Sequence, residues 1–132
     1  MNKVAVDTSA LLAVINVEAG GNRVSELLDD EHNRVLVSAV NLSEAQAVLV
    51  HRGVPGDEAW KLLTAFDLEI IPFDAEQAQF AGTLIDRTRK FGLSFGDRAC
   101  LALGIREGCI VVTADQAWKK LKVDVQVELV RG

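Results

Sequence analysis

Tyrosine is absent from this 132-residue chain, and aromatic residues of all kinds make up only 5% of it. A core built from such a sequence must be aliphatic, and few rings are left on which the bases of a single strand could stack. Cysteine occurs only as Cys100 and Cys109, each among aliphatic neighbours. Their spacing fits no zinc motif, and neither His32 nor His51 is near them in sequence, so reduced, buried thiols are expected. Long hydrophobic runs are missing too, since no stretch approaches the roughly 20 apolar residues that span a bilayer. The opening Met1-Asn2-Lys3-Val4-Ala5-Val6-Asp7 does not read as a secretory signal, because its short apolar run ends in a carboxylate. A cytoplasmic protein without a membrane segment is the expectation.

Positive charge is also scarce. Lys and Arg number 14 against 19 Asp and Glu, a net charge of −5, which opposes binding to any polyanion unless the negative charge is concentrated where a cation would cancel it. What is present is ordinary for a globular chain: 49% hydrophobic and 25% charged residues, too apolar for disorder. The length suits a single domain, residues 1–132, with one hydrophobic core.

Periodicity switches repeatedly between short apolar runs and helical stripes. Val4-Ala5-Val6, Val35-Leu36-Val37, Leu68 to Pro72 and Ile110-Val111-Val112 read as strands. A last strand, Val125 to Val130, alternates with Gln126 and Glu128, as an edge strand with one wet face does. Between them helices are predicted over Ser9 to Asn16 and around Val24, Leu27 and Leu28. Another opens at Asn41 and ends at Arg52-Gly53, and the next has Pro55 in its first turn. Asp74-Ala75-Glu76-Gln77 has the form of a capping box for a long helix running on to Phe91-Gly92. Ser94 opens a further helix, and a short one surrounds Trp118 and Leu121. Such alternation predicts an α/β fold with a parallel sheet covered on both faces, whose sites form beyond the carboxyl ends of the strands.

Four acids fall on that rim. Asp7 ends the first strand and Asp115 lies just beyond the fourth; Glu44 and Asp97 are each three residues after a helix-opening residue. Each has an ordinary reading as a helix cap or capping-box member. Their common location has none, because clustered carboxylates repel and raise one another's pKa values. A hard divalent cation such as Mg2+ relieves that repulsion, activates water and stabilises charge on a phosphate. Other chemistries lack their signatures: no phosphate-binding G-x4-G-K-[ST] loop or dinucleotide fingerprint appears, and the histidines form no acid–base pair. The basic residues Arg87, Arg89, Lys90, Arg98, Lys119, Lys120 and Lys122 flank two of the acids. Most read as solvated helix faces, and Arg98 is the first candidate for contact with a phosphate backbone.

Val4-Ala5-Val6-Asp7-Thr8-Ser9-Ala10-Leu11, Asn41-Leu42-Ser43-Glu44, Leu93-Ser94-Phe95-Gly96-Asp97-Arg98-Ala99-Cys100-Leu101-Ala102 and Val112-Thr113-Ala114-Asp115-Gln116-Ala117-Trp118, in that order, resemble the VapC toxin branch of the PIN-domain family. The resemblance implies a three-layer α/β/α fold with a five-stranded parallel sheet of order 3-2-1-4-5. It also implies an endoribonuclease dependent on Mg2+ or Mn2+, inhibited by a cognate antitoxin and assembled as a homodimer. Asp7 and Asp97 match the family's main metal ligands, Glu44 the acid that completes the site, Asp115 a fourth acid, and Thr113 a small polar residue supporting the pocket. Together these lines imply hydrolysis of RNA by a metal-activated water, leaving 5′-phosphates. The competing readings are a non-catalytic PIN-like scaffold and a housekeeping PIN ribonuclease outside any toxin–antitoxin pair. A phosphoaspartate enzyme fits poorly, since Ser9 stands where the second acid of a haloacid-dehalogenase-like site belongs.

Overall fold

In a computed structural model, residues 2–131 are described; Met1 and Gly132 lie outside the described residues. The strands β1 (Asn2–Val6), β2 (Asn33–Ser38), β3 (Leu68–Ile71), β4 (Ile110–Thr113) and β5 (Val127–Leu129) form one sheet. All neighbours are parallel, in the order β3-β2-β1-β4-β5. The helices α1 (Thr8–Ile15), α2 (Gly21–Asp29), α3 (Ala39–His51), α4 (Gly56–Thr64), α5 (Ala75–Thr83), α6 (Ile85–Thr88) and α7 (Phe95–Glu107) alternate with them.

Strand periodicity explains the layering. Val4, Val6, Val35, Val37 and Val112 point to one face, where they pack with Leu11, Val24, Leu42 and Leu63 of α1 to α4. Ala5, Leu36 and Val111 point to the other, against Ala81 of α5, Leu101 of α7 and Trp118. Both faces of the central strands are therefore buried, as a parallel sheet requires. Gly21 lets α2 approach α1, because a Cβ there would stand 2.5 Å from the carbonyl oxygen of Ala13. The β5 edge keeps its wet side through Glu128, which takes a two-pronged ion pair from Arg23 at 2.8 and 3.2 Å. Among the described residues no helix is long and apolar enough to cross a membrane.

Several boundaries differ from expectation, each for a local reason. Helix α3 starts at Ala39, not Asn41, because Ser38 at the end of β2 already caps it by accepting from the Val40 amide at 3.2 Å. Pro55 is the residue before α4 and lies outside its first turn. Asp74 caps α5 through the Gln77 amide, but the Gln77 side chain reaches Ala102 of α7 and does not close the box. The single long helix expected up to Gly92 is broken into α5, α6 and a 3-10 turn, Arg89–Phe91. Thr83 and Thr88 donate back to the carbonyls of Phe80 and Leu84, the bonding that bends helices. The segment around Trp118 is likewise a 3-10 turn, Gln116–Lys120, and the last strand is shorter than the predicted Val125 to Val130.

Candidate active site at the carboxyl rim of the sheet

Asp7 leaves β1 and caps α1. Its Oδ1 accepts from the Ala10 amide at 2.9 Å and from the Ser9 hydroxyl at 2.8 Å, and its Oδ2 accepts from the Thr113 hydroxyl at 2.5 Å. Thr113 ends β4 and in turn accepts from the Asp115 amide at 3.0 Å, while Ser9 accepts from the Ala114 amide at 2.9 Å. The β1–α1 corner is thus latched to the β4 corner through Thr113, which is fully buried. Burial drives the Asp7 carboxyl up to about pH 6. The three donors oppose that rise, and the nearby charge of Asp97 adds to it.

Glu44 lies further along α3 than expected, in the second turn and not in a capping box. Its Oε1 accepts from the Thr8 hydroxyl at 2.5 Å. Asn41, only 1% exposed, ties the parts together. Its Nδ2 donates to Thr8 Oγ1 at 3.2 Å and to the Gly96 carbonyl at 3.0 Å, joining α1, α3 and α7. Gly96 is where α7 meets α3: a Cβ on it would collide with the Glu44 carboxylate.

Asp97 and Ser94 form the expected capping box of α7, with bonds of 2.9 and 3.2 Å between each side chain and the other's amide. Burial raises the Asp97 carboxyl above its ordinary range against the Ser94 bonds, and the charges of Asp115 and Glu44 push it further. Asp115 caps the Trp118 turn through the Ala117 amide at 2.9 Å. The four acids therefore face a common rim, with Asp97 interacting electrostatically with each of the other three.

No group of three or more His, Cys, Asp or Glu side chains among the described residues closes tightly enough to hold one ion directly. Mg2+ suits such spacing, since it keeps several waters and takes one or two carboxylates. The donor set is hard oxygen throughout, and the buried Asp7 carboxylate lacks a cationic partner among the described residues, so the residues fit a divalent cation. Cys100, wholly buried, is held well above its ordinary thiol range by that burial and then by the charges of Asp7 and Asp97. It is a core thiol.

Arg98 is engaged elsewhere than the acids: its Nη1 donates to the Ala81 carbonyl of α5 at 3.1 Å and its guanidinium lies over the Phe95 ring. Arg87, Lys90, Lys120 and Lys122, read from sequence mostly as solvated faces, line one cleft of about 330 Å3 with Asp86 and Phe91. Sequence reading passed over Ser9, Thr8 and Asn41. Asn41 carried a signal, being a polar residue four before Ala45 on an apolar stripe. From sequence no G-x-S-x-G elbow was expected, yet those letters stand in Gly92-Leu93-Ser94-Phe95-Gly96. A nucleophile elbow joins a strand to a helix. Here a 3-10 turn precedes the motif, and Ser94 is committed to capping α7.

A family model for the PIN domain matches residues 4–124. VapC ribonuclease Mb0640 of Mycobacterium bovis is 30% identical over 105 residues, which cover 76% of this chain and 79% of the relative. Ribonuclease VapC30 of Mycobacterium tuberculosis matches with the same identity and coverage. Among solved structures, VapBC2 from Rickettsia felis, bound to a DNA fragment from its promoter, superposes with a TM-score of 0.71 at 22% identity, covering 96% of this chain and 97% of that one. The sarcin-ricin-loop-cleaving toxin VapC20 of Mycobacterium tuberculosis gives 0.71 at 21% identity, covering 92% and 98%. Sheet order, rim and matched span agree, and the chain belongs to the PIN-domain family, in its VapC branch.

Proposed function

We propose that this chain is a Mg2+- or Mn2+-dependent endoribonuclease, the toxin of a VapBC-type pair, acting in the cytoplasm as a homodimer until a cognate antitoxin inhibits it. The observation that supports it most is the buried Asp7 carboxylate, which has no cationic partner among the described residues and feels the charge of Asp97, itself under the charges of Glu44 and Asp115. A scaffold has no use for a carboxylate whose ionisation costs stability. When bound, a divalent cation supplies a water activated at neutral pH and charge stabilisation on the phosphate.

The chain's own residues do the rest. Asp7 and Asp97 would hold the ion, and Glu44 and Asp115 would reach it through water. Ser9, Thr113 and the Ala10 amide fix the Asp7 carboxylate in one orientation, and Thr8 fixes Glu44. Such preorganisation lowers the reorganisation required when charge develops on the phosphate. Neither histidine joins in: His32 precedes β2 at the opposite edge of the sheet, and His51 closes the far end of α3.

The test is RNA hydrolysis by the purified chain, freed of any antitoxin. Cleavage should need Mg2+ or Mn2+, stop in EDTA, and leave 5′-phosphate ends that accept ligation. Asp7→Ala should lower the rate by several orders of magnitude while circular dichroism shows an intact fold. Full activity in EDTA, or 2′,3′-cyclic phosphate ends, contradicts the proposal.

A further inference from the structure

Beside the acids stands a ring with no role in the core. Phe95 is the first residue of α7, two positions before Asp97, and is 50% exposed although the chain has only 5 Phe, 2 Trp and no Tyr. Exposure of an apolar ring forfeits burial energy, yet this ring is held in place. Phe73, two residues past the carboxyl end of the β3 edge strand, meets it edge to face, with centroids 5.5 Å apart and planes at 85°. The Arg98 guanidinium sits 5.8 Å from its centroid and is itself anchored on the Ala81 carbonyl. The exposed rings Trp60 and Phe80 belong to α4 and α5, whereas Phe95 opens the helix whose first turn carries Asp97.

We infer that Phe95 is a nucleobase subsite, on which the base next to the scissile phosphate stacks while Arg98 backs the ring from the other side. The inference rests on the ribonuclease reading of the rim and adds a residue to it. A ring already fixed by Phe73 and Arg98 loses little freedom when a base settles on it. Stacking also tolerates any base, so the subsite positions the strand without reading its sequence. A guanidinium on one face of a ring and a base on the other form a favourable sandwich.

The test uses the full-length chain with Asp7→Asn, which keeps RNA intact, and a set of randomised RNA octamers, each carrying 2-aminopurine at a different position. Binding should quench the fluorophore at one or two positions. Adding Phe95→Leu should abolish that quench and weaken binding about 5- to 150-fold, the range expected for one stacked base. Phe95→Trp should restore both. Because the contact is uncharged, the loss should be the same at 50 and 200 mM salt. Unchanged affinity and quench in Phe95→Leu overturn the subsite. So does a dimer that dissociates on this substitution, since the ring is then covered by a second copy. Wild-type cleavage of RNA beside a silent Phe95→Leu defeats the subsite alone. A wild-type chain that neither binds nor cleaves RNA defeats the ribonuclease reading with it.

Discussion

At the scale of the residue, Asp7 makes the site's energetics measurable. Its carboxyl titrates at about 6 in the fold against 3.8 in the unfolded chain, mainly because burial disfavours its charge. Between those values the native state holds the extra proton, so lowering the pH from above 6 toward 3.8 favours folding at this residue. Near pH 7 its ionisation costs roughly 3 kcal/mol. Thermal melts in chelator should therefore rise from pH 7.5 to pH 5. Asp7→Asn, which still caps α1, should melt higher than the parent at pH 7.5 and show a flatter profile. A parent melt that falls steadily with acid, or an Asp7→Asn variant less stable at pH 7.5, refutes that account. The rim positions of Asp7, Asp97 and Asp115 were legible because each caps a helix or turn or sits in its first turn, where sequence signals are strongest. Glu44 lies instead in the second turn of α3, and Thr113 was legible only through the family resemblance. Asn41, Thr8 and Ser9 were not legible, since their importance lies in bonds between segments distant along the chain.

At the scale of the element, the first turn of α7 determines where the carboxylates stand relative to one another. Its cap was readable as Ser94-x-x-Asp97, but the neighbour it meets was not, because nothing local to Gly96 announces α3. A methyl group at Gly96 would land on the Glu44 carboxylate. That carboxylate ends a flexible side chain and can swing aside, and alanine suits a helix better than glycine by about 1 kcal/mol. Gly96→Ala is therefore expected to keep its melting temperature within a few degrees of the parent and to lose at least about tenfold in kcat through the displaced Glu44. Paired melts and steady-state kinetics check this; a large drop in stability with normal kcat per folded molecule would place the role of Gly96 in packing. The missed helix breaks have the same origin. Apolar periodicity runs smoothly through Ala78, Ala81, Leu84 and Ile85, while the back-bonded hydroxyls of Thr83 and Thr88 favour a bend in the helix that it suggests.

At the scale of the whole molecule, the net charge of −5 has to coexist with a polyanionic substrate. Setting the four rim acids aside leaves 15 acids against 14 bases, so the remaining surface is nearly neutral and local arrangement decides. The cleft between α6 and the Trp118 turn gathers Arg87, Lys90, Lys120 and Lys122 against Asp86. Arg87 is partly neutralised by Asp124 at 3.7 Å, which leaves the lysines as the freer charges. Asp115 caps the turn that carries Lys120, so the cleft and the rim share one element of the fold. Lys90→Ala with Lys120→Ala should raise KM for RNA and leave kcat at saturation near the parent value, because neither lysine is bonded to the four rim carboxylates. Removing two phosphate contacts should also reduce the slope of log affinity against log salt by roughly 1.4 for a single strand. Melting temperature should hardly move, as both side chains are exposed. If KM and the salt slope match the parent, the strand takes another path across the rim. If kcat falls while KM holds, the lysines act on the site itself, and their charge belongs in the account of catalysis.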